Sequence, residues 1–490
     1  MKNHFNAFTQ HRQTVSMKLF FILLQRSLAR LGCLHRLVLP LFLLGTLACN
    51  ADDRDEKIRA LEKRLESYDE KIRQLEERLA AQETKDTAPS KTTPLVSMGQ
   101  NGFIMQSADT NFVLQFKGLL QVDSRSFFDD GGIKSHDTFL VRRARPIIEG
   151  TIFRDFDFRL QTEFGGSGTP TLRDAFLNYR YSDEFQLKIG KFKVPVGLER
   201  LASISGTLFI ERSLVSDITP SRDIGVEFHG KALDGLLNYA AGVFNGVGDG
   251  RMSSGVDLDG EKSFAARLFV YPWRRIEVKA LQQVGVGVGS SYGRSEGAAA
   301  LPSRNGFDTE GQQQFFNYRI GTGGNPNVVA DGNHWRVSPQ ASWYWGPWSA
   351  LAEYVISSQE LRRSDTGLLR TLRNTAWQIA AGYVLTGEEA SDHGVNPRHP
   401  FNPHENHWGA LEMVARVSSL EVDDAAFPVF ADPAKSAAEA MAWAIGFNWY
   451  LNRNIRASAN YMHTDFRGGR ASAVTAQDEN AFFTRVQLSF

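Results

Sequence analysis

The feature that most constrains this 490-residue chain is a two-residue alternation that recurs along most of its length. FDFRLQTEF sets Phe156, Phe158, Leu160, Thr162 and Phe164 against Asp157, Arg159, Gln161 and Glu163. FVLQFKGLLQVDSR sets Phe112, Leu114, Phe116, Leu120 and Val122 against Gln115, Lys117, Gln121, Asp123 and Arg125. HWGALEMVARVSS repeats the pattern with Leu411, Met413, Ala415 and Val417 against Glu412, Arg416 and Ser418. The final residues, ENAFFTRVQLSF, stop inside such a pattern: Phe482, Thr484, Val486, Leu488 and Phe490 share one face, Ala481, Phe483, Arg485, Gln487 and Ser489 the other. A period of two places successive side chains on opposite faces of a strand. About sixteen segments of roughly 8–14 residues read this way.

A soluble sandwich and a membrane barrel both satisfy that pattern, and the connections separate them. Tight joints such as Ser182-Asp183-Glu184 and Leu451-Asn452-Arg453-Asn454 alternate with long polar stretches such as Val286 to Asn333. Short turns at one end and long loops at the other are the layout of an outer-membrane barrel. Aromatics gather near strand ends, at Tyr271-Pro272-Trp273, Trp343-Tyr344-Trp345, Trp348 and Trp449-Tyr450, as interfacial girdles do. A mean hydropathy of -0.30 does not oppose this, because half of each strand faces water. No stretch after residue 51 is long and apolar enough for a membrane-spanning helix. The expected fold is all-β: a transmembrane antiparallel barrel of about 16 strands over residues 111–490, preceded by a short α-helical coiled coil.

The N-terminal part reads as an export signal over residues 1–51. Leu37 to Leu47 is an apolar core flanked by Arg26, Arg30 and Arg36, with Ala48 and Ala51 as small cleavage-site residues. Met17 offers an alternative start, and lipidation of Cys49 is the rival reading, set back by Thr46 three residues before the cysteine. In residues 52–84, Ile58, Leu61, Leu65, Tyr68, Ile72, Leu75 and Leu79 follow a 3-4 spacing with charges between them, the signature of an oligomerising coiled coil. Residues 85–110 read as a linker.

The chain carries 55 Lys+Arg against 55 Asp+Glu, which argues against a nucleic-acid partner. Its two cysteines, Cys33 and Cys49, leave the body without a thiol for catalysis, disulfide or zinc. His393, His399, His404 and His407 read as part of a long outer loop, and no metal or cofactor is assigned. Gly285-Val286-Gly287-Val288-Gly289 reads as a flexible strand end, since no helix pattern follows it for a nucleotide loop. No nucleophile motif supports an enzyme.

Several stretches resemble the phosphate-selective porin O/P family. VRRARPIIEGTIFRDFDFRLQTEF (Val141 to Phe164) is similar to its RRA…EG…RD region, and the segment from Leu187 to Phe228 carries its GLER, ERS and RDIG elements. YVLTGE (Tyr383 to Glu388), WGALEMVARVS and the segment from Ile445 to Thr464 complete the resemblance in the family's order. The resemblance implies a trimeric barrel in the bacterial outer membrane, with the coiled coil in the periplasm. It implies a third loop, here around 194–223, folded inward, and a pore lined by arginine and lysine. The positions it points to are Arg142 and Arg143, Arg200, and Lys188, Lys191, Lys193, Arg212 and Arg222 in or beside that loop, with Glu199 and Glu211 as constriction acids. Arginine suits an anion path because its charge is permanent and its fork matches phosphate oxygens. The aromatic Phe490 resembles the signal read by the barrel assembly machinery. Leu119, where the family often has a basic residue, is expected to face the lumen and weakens the anion ladder. The function expected is passive diffusion of small solutes with a preference for anions such as phosphate or polyphosphate. The alternative is a non-conducting structural or adhesive barrel anchored through its coiled coil.

Overall fold

The computed structural model describes residues 59, 63–77, 94–128, 137–166, 168–257, 259–296, 306–321, 327–468 and 478–490. They fall into two compact units, Met1–Pro89 and Ser90–Phe490. In the first, residues 63–77 form a helix. Leu65, Tyr68, Ile72 and Leu75 on it are 53–66% exposed. Ile58, Leu61, Leu79, the export signal and both cysteines lie outside the described residues.

The second unit begins inside the expected linker with a hairpin, β1 (Leu95–Gly99) and β2 (Gly102–Gln106). The wall then runs through β3 (Val113–Phe127), β4 (Thr138–Ile152), β5 (Phe156–Glu163), β6 (Thr171–Arg180), β7 (Gln186–Lys193), β8 (Arg222–Ala232), β9 (Leu237–Phe244), β10 (Ser263–Val270) and β11 (Gly285–Ser295). A small inner hairpin follows, β12 (Phe307–Asp308) with β13 (Gln314–Phe316). The wall resumes with β14 (Val328–Trp345), β15 (Trp348–Arg363), β16 (Leu369–Val384), β17 (Ala410–Glu421), β18 (Glu439–Tyr450), β19 (Ile455–Arg467) and β20 (Glu479–Ser489). Each wall strand pairs antiparallel with the next, and β20 closes on β3 from Ala481↔Phe127 to Ser489↔Leu119. The result is a closed barrel of sixteen strands, with β1–β2 extending the β3 edge below the end of β20. The last residue is paired too: Gly118 N–H donates to the Phe490 carbonyl at 2.9 Å, and Phe490 N–H returns the bond at 3.1 Å.

The alternation resolves as apolar outside and polar inside. Leu120, Val122, Ile189, Leu268, Ile379, Met413, Ile445 and Val486 are exposed on the outer face, while Gln121, Asp123, Arg125, Glu353, Gln378, Arg416, Asn460 and Arg485 are buried within. A sandwich would bury the first set, so this inversion decides for the membrane barrel. Leu119 faces inward, as its parity requires.

Two expectations about loops change. Counting strands from β3 places the connection 385–409, which carries His393, His399, His404 and His407, at the same end as Phe490 and the tight turns 346–347 and 451–454. It lies at the tight-turn end rather than the long-loop end. The stretch Val286 to Asn333 is not one long loop either, because β11, β12, β13 and the start of β14 fall within it. Its first glycines are strand rather than a loose end. At Gly289 a Cβ would lie 2.1 Å from the Val196 carbonyl oxygen, so only glycine lets the segment 194–221 approach the wall there.

Candidate functional site

Residues 194–221 leave β7 at one end of the barrel and fold into the lumen, and the wall holds them at successive points. Glu353 on β15 accepts the backbone N–H groups of Leu198 (2.7 Å) and Glu199 (3.1 Å), the start of the short helix Leu198–Leu201. Arg456 donates to the Thr207 carbonyl, Asn448 to that of Leu208, and Asn460 Oδ1 accepts Ile210 N–H at 2.7 Å. At Gly206 the loop meets the connection from the opposite end: a Cβ there would sit 2.5 Å from the Asp392 carbonyl oxygen. A backbone this pinned is a fixed constriction rather than a loose flap.

Glu211 is the centre of the docking. Arg142 Nε donates to it at 2.6 Å, Arg125 at 3.0 Å, Arg143 at 3.2 Å and Arg485 at 3.3 Å. Arg485 also grips Asp123 through two bonds of 2.6 and 2.8 Å. Burial alone would raise the Glu211 carboxyl, but Arg142, Arg143 and Arg485 hold it well below the usual carboxylate range. Glu199 forms a second anchor: it accepts from Ser213 Oγ (2.7 Å) and Gln378 (3.1 Å), and Arg416 lies 3.4 Å away. Both acids thus hold the loop in place.

The eight candidate cations divide by partner. Arg143 is buried behind Glu211, and Arg142 keeps a quarter of its side chain exposed, 26%. Arg222, the first residue of β8, is buried against Asp174 at 2.9 Å. Lys191 donates to the Ser253 carbonyl and is buried. Lys188 reaches Glu227 at 3.0 Å and lies over the Phe192 ring. Lys193 donates to the carbonyls of Leu201 and Ala202, both at 2.8 Å. Arg200 donates to the Ser216 carbonyl, and Arg212 to those of Glu199 and Ala202. Burial, with Arg200 beside it, lowers the Arg212 guanidinium from its ordinary value.

Three further arginines face the same space. Arg145 pairs with Glu163 at 2.5 Å, and Arg159 keeps 35% of its side chain exposed. Arg173 forms no ion pair among the described residues: its Nη1 meets only the Met252 sulfur at 3.5 Å, and its Nε is buried without a partner. It occupies a bulge, since Gln161 pairs with Asp174 and Thr162 with Leu172. Beyond the loop, toward the Phe490 end, lies a chamber of about 1200 Å³ lined by Arg159, Lys188, Lys193 and Arg267 as well as Glu227 and Asp392, with Tyr344, Leu351 and Arg416 on its far side. At the other end of the lumen, the space inside β14–β18 is filled by apolar side chains: Leu214, Val215 and Ile218 of the loop join Phe307, Phe315, Phe316, Leu372 and Leu420.

Comparison with known proteins gives a consistent result. The model of the family described as phosphate-selective porin O and P matches residues 114–490. The chain is 25% identical to Porin O of Pseudomonas aeruginosa over 439 residues, 84% of this chain and 96% of that protein. Among solved structures it is similar to the outer membrane channel DcaP of Acinetobacter baumannii (TM-score 0.49, 13% identity, 78% of this chain and 98% of that one). It is also similar to an anion-selective porin from Comamonas acidovorans (TM-score 0.47, 10% identity, 77% of this chain and 100% of that one).

Proposed function

This chain belongs to the phosphate-selective porin O and P family, and on that premise we propose that it forms an anion-preferring diffusion channel of the bacterial outer membrane. It is a channel rather than an enzyme. The observation that carries the anion preference is the clustering of Arg142, Arg145, Arg159, Arg173, Lys193 and Arg212 where the loop 194–221 narrows the lumen. Glu211 is spent on holding the loop, Glu163 is paired with Arg145, and Arg173 has no ion-pair partner among the described residues, which leaves positive charge toward water. Several moderate cation sites let an anion enter without trapping it.

The Phe490 end of the barrel faces the periplasm in this reading, and the helix 63–77 joins copies of the chain as a periplasmic coiled coil of a homotrimer. Its exposed Leu65, Ile72 and Leu75 support that role. Phe490, paired at the seam with Gly118, serves the barrel assembly machinery, and the apolar outer belt meets membrane lipid.

The dry packing inside β14–β18 favours one competing reading, a closed structural barrel. Planar-bilayer recording separates the two. Current steps with a reversal potential on the anion side in a KCl gradient, reduced when phosphate is titrated in, are expected. No steps would leave the closed barrel. Anion preference unchanged in an Arg142→Ala, Arg143→Ala double variant would remove those two residues from the filter.

A further inference from the structure

On the outer face of the wall, the end of β19 and the start of β20 carry a cluster that the channel reading does not use. Along β19 the side chains of Asn460, Met462 and Thr464 point inward and are buried, so Tyr461, His463 and Asp465 stand on the outer face. The cluster is at the end of the barrel away from Phe490, beside Trp443, whose ring lies 5.6 Å from both Tyr461 and His463. His463, Asp465 and Asp478 each bring a ligand-type atom to within 4.8 Å of the other two.

The hydrogen bonds fix how the imidazole is presented. Tyr461 Oη donates to Asn480 Oδ1 at 2.8 Å. The same oxygen lies 2.8 Å from His463 Nδ1, so Nδ1 carries the proton and donates it. The Nε2 lone pair then points at Asp465 Oδ1, 3.2 Å away. With Nε2 unprotonated, these two electron-rich atoms form an edge that takes either a proton or a metal ion between them. An imidazole that donates its far N–H to a carbonyl oxygen while offering Nε2 is the arrangement of metal-bound histidines. Donors around a tetrahedral Zn²⁺ with bonds of about 2.0–2.1 Å sit about 3.3 Å apart, which the Nε2–Oδ1 spacing matches.

We propose that His463, Asp465 and Asp478 form an outward-facing site for a divalent transition metal of the Zn²⁺ class, with Asn480 and Tyr461 orienting the histidine. One imidazole and two carboxylates leave coordination open for water or an oxygen of a neighbouring headgroup.

The test is calorimetric titration of the metal-stripped, full-length protein in detergent with ZnCl₂ at neutral pH. One saturable Zn²⁺ per chain is expected, weakened at least tenfold in His463→Gln and in Asp478→Asn, and about tenfold in Asn480→Ala. The heat-dependent gel mobility of the barrel reports that each variant is folded. Unchanged affinity in either His463→Gln or Asp478→Asn overturns the proposal and points to the histidines of 393–407 instead. Absence of saturable binding overturns it as well, leaving a protonated imidazole between the carboxylates.

Discussion

Arg142 clasps Glu211 with two hydrogen bonds, Nε to Oε1 at 2.6 Å and Nη2 to Oε2 at 3.2 Å, across 69 positions of sequence. One partner belongs to the wall and the other to the loop, so this pair and its three neighbouring arginines set where the constriction stands.

Glu211→Gln is therefore expected to loosen the loop. Removing one member of a buried ionic cluster costs about 3–5 kcal/mol. Here the cost is expected to fall on loop docking, since the strand ladder is untouched. It also leaves Arg142 and Arg143 without their carboxylate, while Arg125 and Arg485 keep Asp123. Single-channel recording should show noisier open currents and a reversal potential moved further to the anion side. Wild-type noise and potential together would show that Glu211 does not hold the loop.

The same cluster sets an acid limit. The folded Glu211 carboxyl lies well below its ordinary 4.5. Its contribution is complete above the ordinary value and is lost only as pH falls through the lowered folded one. Conductance in bilayers should hold steady from pH 7 to about 4.5 and change only at lower pH. A transition near pH 6 would assign the docking to another group.

Arg173 should be the most informative single charge. With no ion pair of its own among the described residues, and the nearby Glu163 held by Arg145, Arg173→Ala removes attraction for an anion without stranding an acid. At ~5 Å through water-like dielectric one charge is worth about 0.8 kcal/mol, about fourfold in relative permeability. Bi-ionic potentials measure this, and a change below about 1.5-fold would place Arg173 outside the solute path.

The helix 63–77 makes a separate prediction. Leu65→Asp with Ile72→Asp should lower the temperature at which oligomers dissociate on semi-native gels, while monomer conductance stays as it was. Unaltered dissociation would make the helix irrelevant to assembly.

Much of the wall could be read from the chain because the barrel obeys local parity. The inward turn of Leu119, the outward Val486 and the motif pair Arg142-Arg143 all follow from alternation or resemblance. The docking network could not be read that way. Asp123 and Arg485 meet only because the barrel closes, 362 residues apart. Arg173 was hidden by a bulge, where one extra residue breaks the count of two. The connection 385–409 was placed at the wrong end because its side depends on the parity of every strand before it, and its length suggested an outer loop. The hairpin β1–β2 was hidden in a stretch whose Ser/Thr/Pro start reads as linker.

The dry packing inside β14–β18 has a consequence for transport. The girth of the barrel does not set the size of the hole, because at the level of the loop the part inside β14–β18 is filled. A solute passing that level keeps to the bank formed by β4–β10, and beyond it reaches the wider chamber that β14–β17 also line. Passage then resembles a walk along a charged rail more than free diffusion in a tube. Ions should queue in single file, and flux should level off at high concentration, however wide the frame around it.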